Sequence, residues 1–104
     1  MSTADLVVLN ALDDLDTLLA EAVRRAGHGP DARVDRRIDA QARVLHAMVD
    51  TAVGALIDDA VDAGKRVMDA ADPAAPKLML DVAQRNLLAA VRRYVRVVSL
   101  QQAA

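Results

Sequence analysis

The fold is decided by residues 31–71, DARVDRRIDAQARVLHAMVDTAVGALIDDAVDAGKRVMDAA, which contain neither proline nor paired glycine. Apolar residues recur in this stretch every eleven positions, at Val34, Leu45, Leu56 and Val67. An eleven-residue repeat stays close to the period of a straight α-helix. The pattern therefore predicts one unbroken helix over residues 31–71, roughly 60 Å long at about 1.5 Å per residue.

Two clusters of helix-breaking residues bound this stretch, at Gly27–Pro30 and Asp72–Pro76. Before the first cluster, apolar residues three and four positions apart predict a helix over about residues 2–26. After the second cluster, the same spacing predicts a helix over about residues 74–100. Because short connections make neighbouring helices antiparallel, we expect an all-α fold, a three-helix antiparallel arrangement with a long central helix.

The composition fits a single helical domain over residues 1–104. Apolar residue types make up 54% of the chain, which is enough for a hydrophobic core. Cysteine is absent, which excludes disulfides and cysteine-ligated metal sites. Phe and Trp are also absent and Tyr94 is the single aromatic residue, so Ala, Val, Leu and Met must fill the core. Such a core lets helices approach closely but leaves few large side chains to anchor them.

The charge pattern gives no general attraction to nucleic acid or to an anionic membrane. The formal net charge is −2 at pH 7. No uncharged run approaches the roughly 20 residues that a membrane-spanning helix requires. The start of the chain, MSTAD, lacks the basic segment of a signal peptide. We therefore expect a cytoplasmic protein without membrane contact.

A rod of this length would be only partly covered by the two flanking helices. The residues left uncovered on the central helix would be Val44, Met48, Ile57, Val61 and Met68. An apolar strip of this kind is typical of an interface. It predicts a symmetric homodimer in which two long helices complete a four-helix bundle. The alternative is a kink near Gly54 that folds the chain into a compact four-helix monomer.

The third predicted helix carries a basic face that could contact anions or nucleic-acid phosphates. Its members are Arg85, Arg92, Arg93 and Arg96. The same arginines could instead pair with carboxylates of the central helix. In the predicted antiparallel register, Arg85 comes near Asp62 and Arg96 near Asp50.

Two other groups of polar residues lie close together along the predicted central helix. His46 and Asp50 lie one helical turn apart, but two ligands do not make a metal site, and a local ion pair is favoured. The densest carboxylate cluster lies on the central helix and comprises Asp58, Asp59, Asp62 and Asp69. These residues are expected on a solvated helix face rather than in a calcium loop. The sequence predicts no catalytic residue, metal or cofactor.

Residues 12–25, LDDLDTLLAEAVRR, resemble the opening helix of the all-helical chorismate mutases, which are intertwined dimers of similar size. The resemblance implies a small helical enzyme in which arginines and a lysine line a pocket for a dianion. In that family the long helix comes first, whereas here it is predicted to be second. Both lysines of this chain, Lys65 and Lys77, also lie outside the matching stretch.

The leading functional prediction is a non-enzymatic helical module for protein–protein interaction or assembly that acts as a homodimer and binds a further protein partner. One alternative is a nucleic-acid-binding regulator that uses the basic face of the third helix. Another is a small chorismate-mutase-like enzyme or carrier with a pocket at the dimer seam. This last alternative requires an arginine that points into a cavity rather than towards carboxylates.

Overall fold

A computed structural model describes residues 3–103, with side chains for residues 3–101, and this part of the chain forms four α-helices without a β-strand. Helix α1 spans Thr3–Arg24, α2 spans Ala32–His46, α3 spans Thr51–Asp69 and α4 spans Ala74–Ala103. The all-α prediction is confirmed. The prediction of three helices is wrong, because the expected rod over residues 31–71 is divided into α2 and α3. The residue expected to begin the first helix, Ser2, lies outside the described residues.

Residues 47–50 form the turn between α2 and α3, a few positions before Gly54. The amide of Ala47 donates a hydrogen bond to the carbonyl of Arg43, and the amide of Met48 donates to the carbonyl of Leu45, which closes α2. Asp50 then adopts an extended conformation, and its carboxylate accepts a hydrogen bond of 2.9 Å from the amide of Val53. This is an N-cap, and it fixes the start of α3 without proline or glycine in the turn.

The last turn of α2 lies directly on the first turns of α3. A Cβ added at Gly54 would be 2.9 Å from the His46 ring, so a larger residue there would require the imidazole to shift. Nε2 of His46 lies 2.8 Å from Oδ1 of Asp58. His46 is half-buried and pairs with Asp58 rather than with Asp50, because the turn places Asp50 at the start of α3 and brings Asp58 beside the histidine.

Polar contacts show that consecutive helices run antiparallel. Glu21 of α1 pairs with Arg37 of α2 at 3.5 Å, as an antiparallel arrangement of these two helices requires. Asp39 of α2 pairs with Lys65 of α3 at 2.7 Å. Helices α1 and α3 contact each other directly, and α2 and α4 lie on opposite sides of them without mutual contact among the described residues. The molecule measures 51 × 23 × 20 Å.

The loop between α1 and α2 is tied to the end of α3. Gly27 and Gly29 have φ values of 77° and 88°, a region that favours glycine. Their amides donate hydrogen bonds to the carbonyls of Val67 and Met68. Asp31 caps α2, because its carboxylate accepts hydrogen bonds from the amides of Arg33 and Val34 at 3.0 and 3.1 Å. The loop thereby fixes α2 against both of its neighbours.

The core is built from medium-sized aliphatic side chains of all four helices. A Cβ added at Gly64 would lie 2.6 Å from Leu19, so α1 and α3 approach closely at this glycine. The largest fully buried side chains are Leu15, Leu19, Val34, Ile38, Leu45, Ile57, Val67, Met68, Leu80, Leu87 and Val91. Every helix contributes to one continuous apolar interior, which explains how a chain almost without aromatic residues closes its core.

The five residues expected at a dimer interface separate in the structure. Ile57, Val61 and Met68 are buried in the core of the chain itself. Val44 is exposed on α2, and Met48 is half-buried in the turn. Because α2 folds back along α3, the flank that an unbroken rod would leave uncovered is filled by the chain's own helices.

The break can be tested by substituting its capping residue. In an unbroken helix, Asp50→Ala would stabilise the protein, because alanine is the better helix former. In the structure the same change removes the N-cap of α3, and we expect it to lower the free energy of unfolding by about 1 kcal/mol. Urea denaturation gives this value, and Asp59→Ala, at an exposed position inside α3, is the matched control. A gain in stability for Asp50→Ala would contradict the turn.

Candidate functional site

Helix α4 carries large apolar residues on two opposite sides, and on the outer side exposed arginines lie among them. Its inner side carries buried residues such as Leu80, Leu87 and Val91. On its other side, Leu78 is 70% exposed and Leu100 is 66% exposed. We call this side the outer stripe of α4, and it comprises Leu78, Met79, Val82, Ala89, Val97 and Leu100. Five of these six residues are large and exposed, although single exposed apolar residues are common on proteins. Their repetition along one helix is what marks the surface.

The predicted basic face lies on the same helix, and its arginines differ in their pairing. Arg85 forms an ion pair with Asp81 one turn away on α4. Among the described residues, Arg92, Arg93 and Arg96 form no ion pair, and all three are exposed. The expected pairing with carboxylates of the central helix is therefore not found. Asp50 caps α3 instead of meeting Arg96, and Asp81 takes the place of Asp62 beside Arg85.

A groove runs between α1 and α4, and the sequence pattern did not reveal it. Its volume is about 600 Å³, and we call it the α1–α4 groove. Four apolar side chains line it together with three charged ones. The lining residues are Leu9, Leu12, Asp13, Leu88, Arg92, Val95 and Arg96. Two arginines of the predicted basic face are thus brought beside apolar residues of the first helix.

Two hydrogen bonds hold α1 and α4 together on either side of this groove. The hydroxyl of Ser99 donates to the carboxylate of Asp5 at 2.6 Å. The side-chain amide of Gln84 donates to Oδ1 of Asp16 at 3.0 Å. Each bond joins an aspartate of α1 to a neutral polar residue of α4. The groove therefore lies along the contact between α1 and α4, and a hydrogen bond joins the two helices beyond each of its ends.

The carboxylate cluster of α3 does not gather around one point. Asp58 contacts His46, and Lys65 turns away from the cluster to Asp39. Within residues 3–103, no three histidine or acidic side chains are grouped closely enough to hold a metal ion. No helix in this part of the chain has the length and apolar character that crossing a membrane requires.

The contact between α1 and α4 also shifts the titration of one carboxyl. Burial raises the pKa of Asp16 above its ordinary value of 3.8, the hydrogen bond from Gln84 lowers it, and the charge of Asp13 raises it. A raised pKa means that the folded protein holds this proton more tightly than the unfolded chain. The free energy of unfolding therefore falls as the pH rises through the raised pKa of Asp16. At pH 7 the charged carboxylate opposes folding.

Asp16→Asn should consequently stabilise the protein at pH 7. Asparagine removes the charge and keeps a carbonyl oxygen that can accept the hydrogen bond from Gln84. We expect a higher thermal midpoint than for the natural chain at pH 7, and a difference that disappears well below pH 3.8, where the carboxyl is protonated. Asp14→Asn, at an exposed position on α1, is the control. A pH-independent difference would show that the effect does not come from the ionisation of Asp16.

The sequence and the structure were compared with known proteins. No protein-family model, no curated protein and no solved structure matches this chain.

Proposed function

We propose that this chain is a non-enzymatic assembly module that acts as a homodimer through the outer stripe of α4. The observation that carries the proposal is the exposure of large apolar residues along the outer side of the same helix whose inner side holds the core. Removing such surface from water contributes roughly 25 cal/mol for each Å² that is buried. A second helix laid along the stripe would supply that burial.

The order of residues along the stripe favours a second copy as the partner. In an antiparallel pair of α4 helices, a two-fold axis beside Ala89 places Met79 opposite Leu100 and Val82 opposite Val97 of the second copy. A small residue then lies at the centre, where the two helices would cross, and large apolar residues lie towards both ends. An isologous interface requires this correspondence, because the same patch must match itself.

Some of the polar residues that lie between the apolar ones also meet favourable partners in this register. Arg93 falls opposite Asn86 of the second copy, whose side-chain oxygen can accept a hydrogen bond. Arg96 falls within one turn of Asp81 of the second copy. Basic side chains nevertheless outnumber acidic ones along α4, with five against one. We therefore expect apolar contact to drive association, and salt to strengthen it by screening the remaining repulsion.

The dimer is expected to be weak, because one helix pair makes a small interface. A dissociation constant on the order of 10 µM corresponds to about −7 kcal/mol at 25 °C. Assembly would then depend on the concentration of the chain and on any third component that binds both copies.

Glutamate substitutions test this interface. Val97→Glu should abolish the dimer in sedimentation equilibrium across 1–200 µM protein, an interval of roughly two decades around the expected constant. Val44→Glu is the matched control, because Val44 is 45% exposed and Val97 46%, on different helices. Dimer loss in the Val44 variant alone would contradict the α4 interface. A monomer for the natural chain throughout would contradict the proposed function.

A second candidate function, nucleic-acid binding, is favoured by the three arginines that lack an ion pair. Guanidinium groups on an exposed helix can neutralise phosphates and release counterions. This candidate predicts retention of the protein on duplex DNA or RNA at low salt and its loss as salt rises, opposite to the salt effect on the dimer. The triple change of Arg92, Arg93 and Arg96 to Gln should remove that retention. A protein that is not retained at low salt would rule this candidate out.

A further inference from the structure

The α1–α4 groove has the composition of a small-molecule site. Its apolar walls come from two helices, with Leu9 and Leu12 on α1 and Leu88 and Val95 on α4. Its volume of about 600 Å³ falls within the roughly 300–1,000 Å³ that ligand sites commonly occupy. Unlike the outer stripe, the groove is concave and receives apolar side chains from two helices. A slender apolar group can therefore lie along it while a polar end remains at the rim.

The charges at the groove favour an anion. Arg92 and Arg96 both line it, and neither forms an ion pair among the described residues. One carboxylate, that of Asp13, also lines the groove, so the two guanidinium groups leave an excess of positive charge. Arginine presents paired N–H donors that match the oxygens of a carboxylate or phosphate. An anionic head group could occupy the position that a protein carboxylate would otherwise take.

From this combination we propose that the α1–α4 groove binds a linear amphiphile with a single anionic head group. In this site Arg92 and Arg96 bind the anionic head group, and the alkyl chain of the amphiphile packs against the apolar walls. The groove's lining residues on α4 extend from Leu88 to Arg96, about 12 Å along the helix, which suits a medium-length alkyl chain. Asp13 opposes the head and limits how much negative charge the site accepts. The proposal does not depend on dimerisation through the outer stripe.

Binding is tested with ten-carbon probes by isothermal titration calorimetry, at probe concentrations below those at which micelles form. Decanoate and decyl phosphate supply the two anionic heads, and decanol and decyltrimethylammonium supply neutral and cationic heads on the same chain. We expect at least one anionic probe to bind at least tenfold more tightly than the neutral and cationic probes. Butanoate, which keeps the carboxylate and shortens the chain, should bind at least tenfold more weakly than decanoate if decanoate is the probe bound.

Single substitutions distinguish the groove from general surface charge. Arg92→Gln and Arg96→Gln should each weaken binding of the anionic probe at least fivefold. Arg93→Gln is the matched control, because Arg93 is an exposed arginine on the same helix that does not line the groove. Asp13→Asn should tighten binding, since it removes the opposing charge. Circular dichroism verifies that each variant keeps its helices.

Several results would overturn the proposal. The first is the absence of saturable binding by both anionic probes. The second is equal affinity for decanol, which would show that the head group is not recognised. The third is an equal loss of affinity in the Arg92 and Arg93 variants, which would show attraction to the basic helix as a whole. Unchanged affinity in a Leu78→Gln variant, which alters the outer stripe without adding charge and far from the groove, supports a site within one chain, whereas its loss would place binding at the outer stripe.

Discussion

The arrangement of the four helices depends on one hydrogen bond, from the amide of Val53 to the carboxylate of Asp50. An N-cap contributes only about 1 kcal/mol, far less than the apolar surface that the four helices bury together. Its importance lies in where it acts. By starting a new helix at Thr51, it allows α3 to return along α2, so that Lys65 reaches Asp39 and the core closes within one chain. The cap stabilises the turn at the start of α3, and the burial of the surfaces that then meet supplies most of the stability.

The sequence predicted the outer helices, because their apolar spacing and the helix-breaking residues that bound them form a local pattern. The break between α2 and α3 leaves almost no such pattern in the sequence. The eleven-residue apolar repeat continues in phase across residues 47–50, and the turn contains no proline or glycine. Its only sign is an aspartate, and a chain in which fourteen of the fifteen acidic residues are aspartate offers many equivalent N-caps. Propensity and periodicity favoured one helix, and tertiary packing overrode both.

The break between α2 and α3, which the sequence did not predict, also explains why the basic face was predicted and the groove was not. Four arginines on one helix can be recognised from spacing, and so could the ion pair of Arg85 with Asp81. A groove lined by both Leu9 and Leu88 requires α1 and α4 to be neighbours along much of their length. With an unbroken rod, each outer helix covers a different half of the rod and they meet only at their ends. The groove therefore exists only because α2 and α3 fold back.

Two kinds of surface consequently meet on α4, and they place different demands on its residues. The inner side needs close packing, since the small aliphatic core has no aromatic residue to fill gaps, and Leu80, Leu87 and Val91 are fully buried there. The outer side contributes little to folding, because Leu78 and Leu100 contact mainly solvent within one chain. Selection for stability alone would not maintain exposed leucines there, since polar helix formers serve an exposed position equally well. The exposed large apolar residues on the longest helix are therefore the basis on which we propose association.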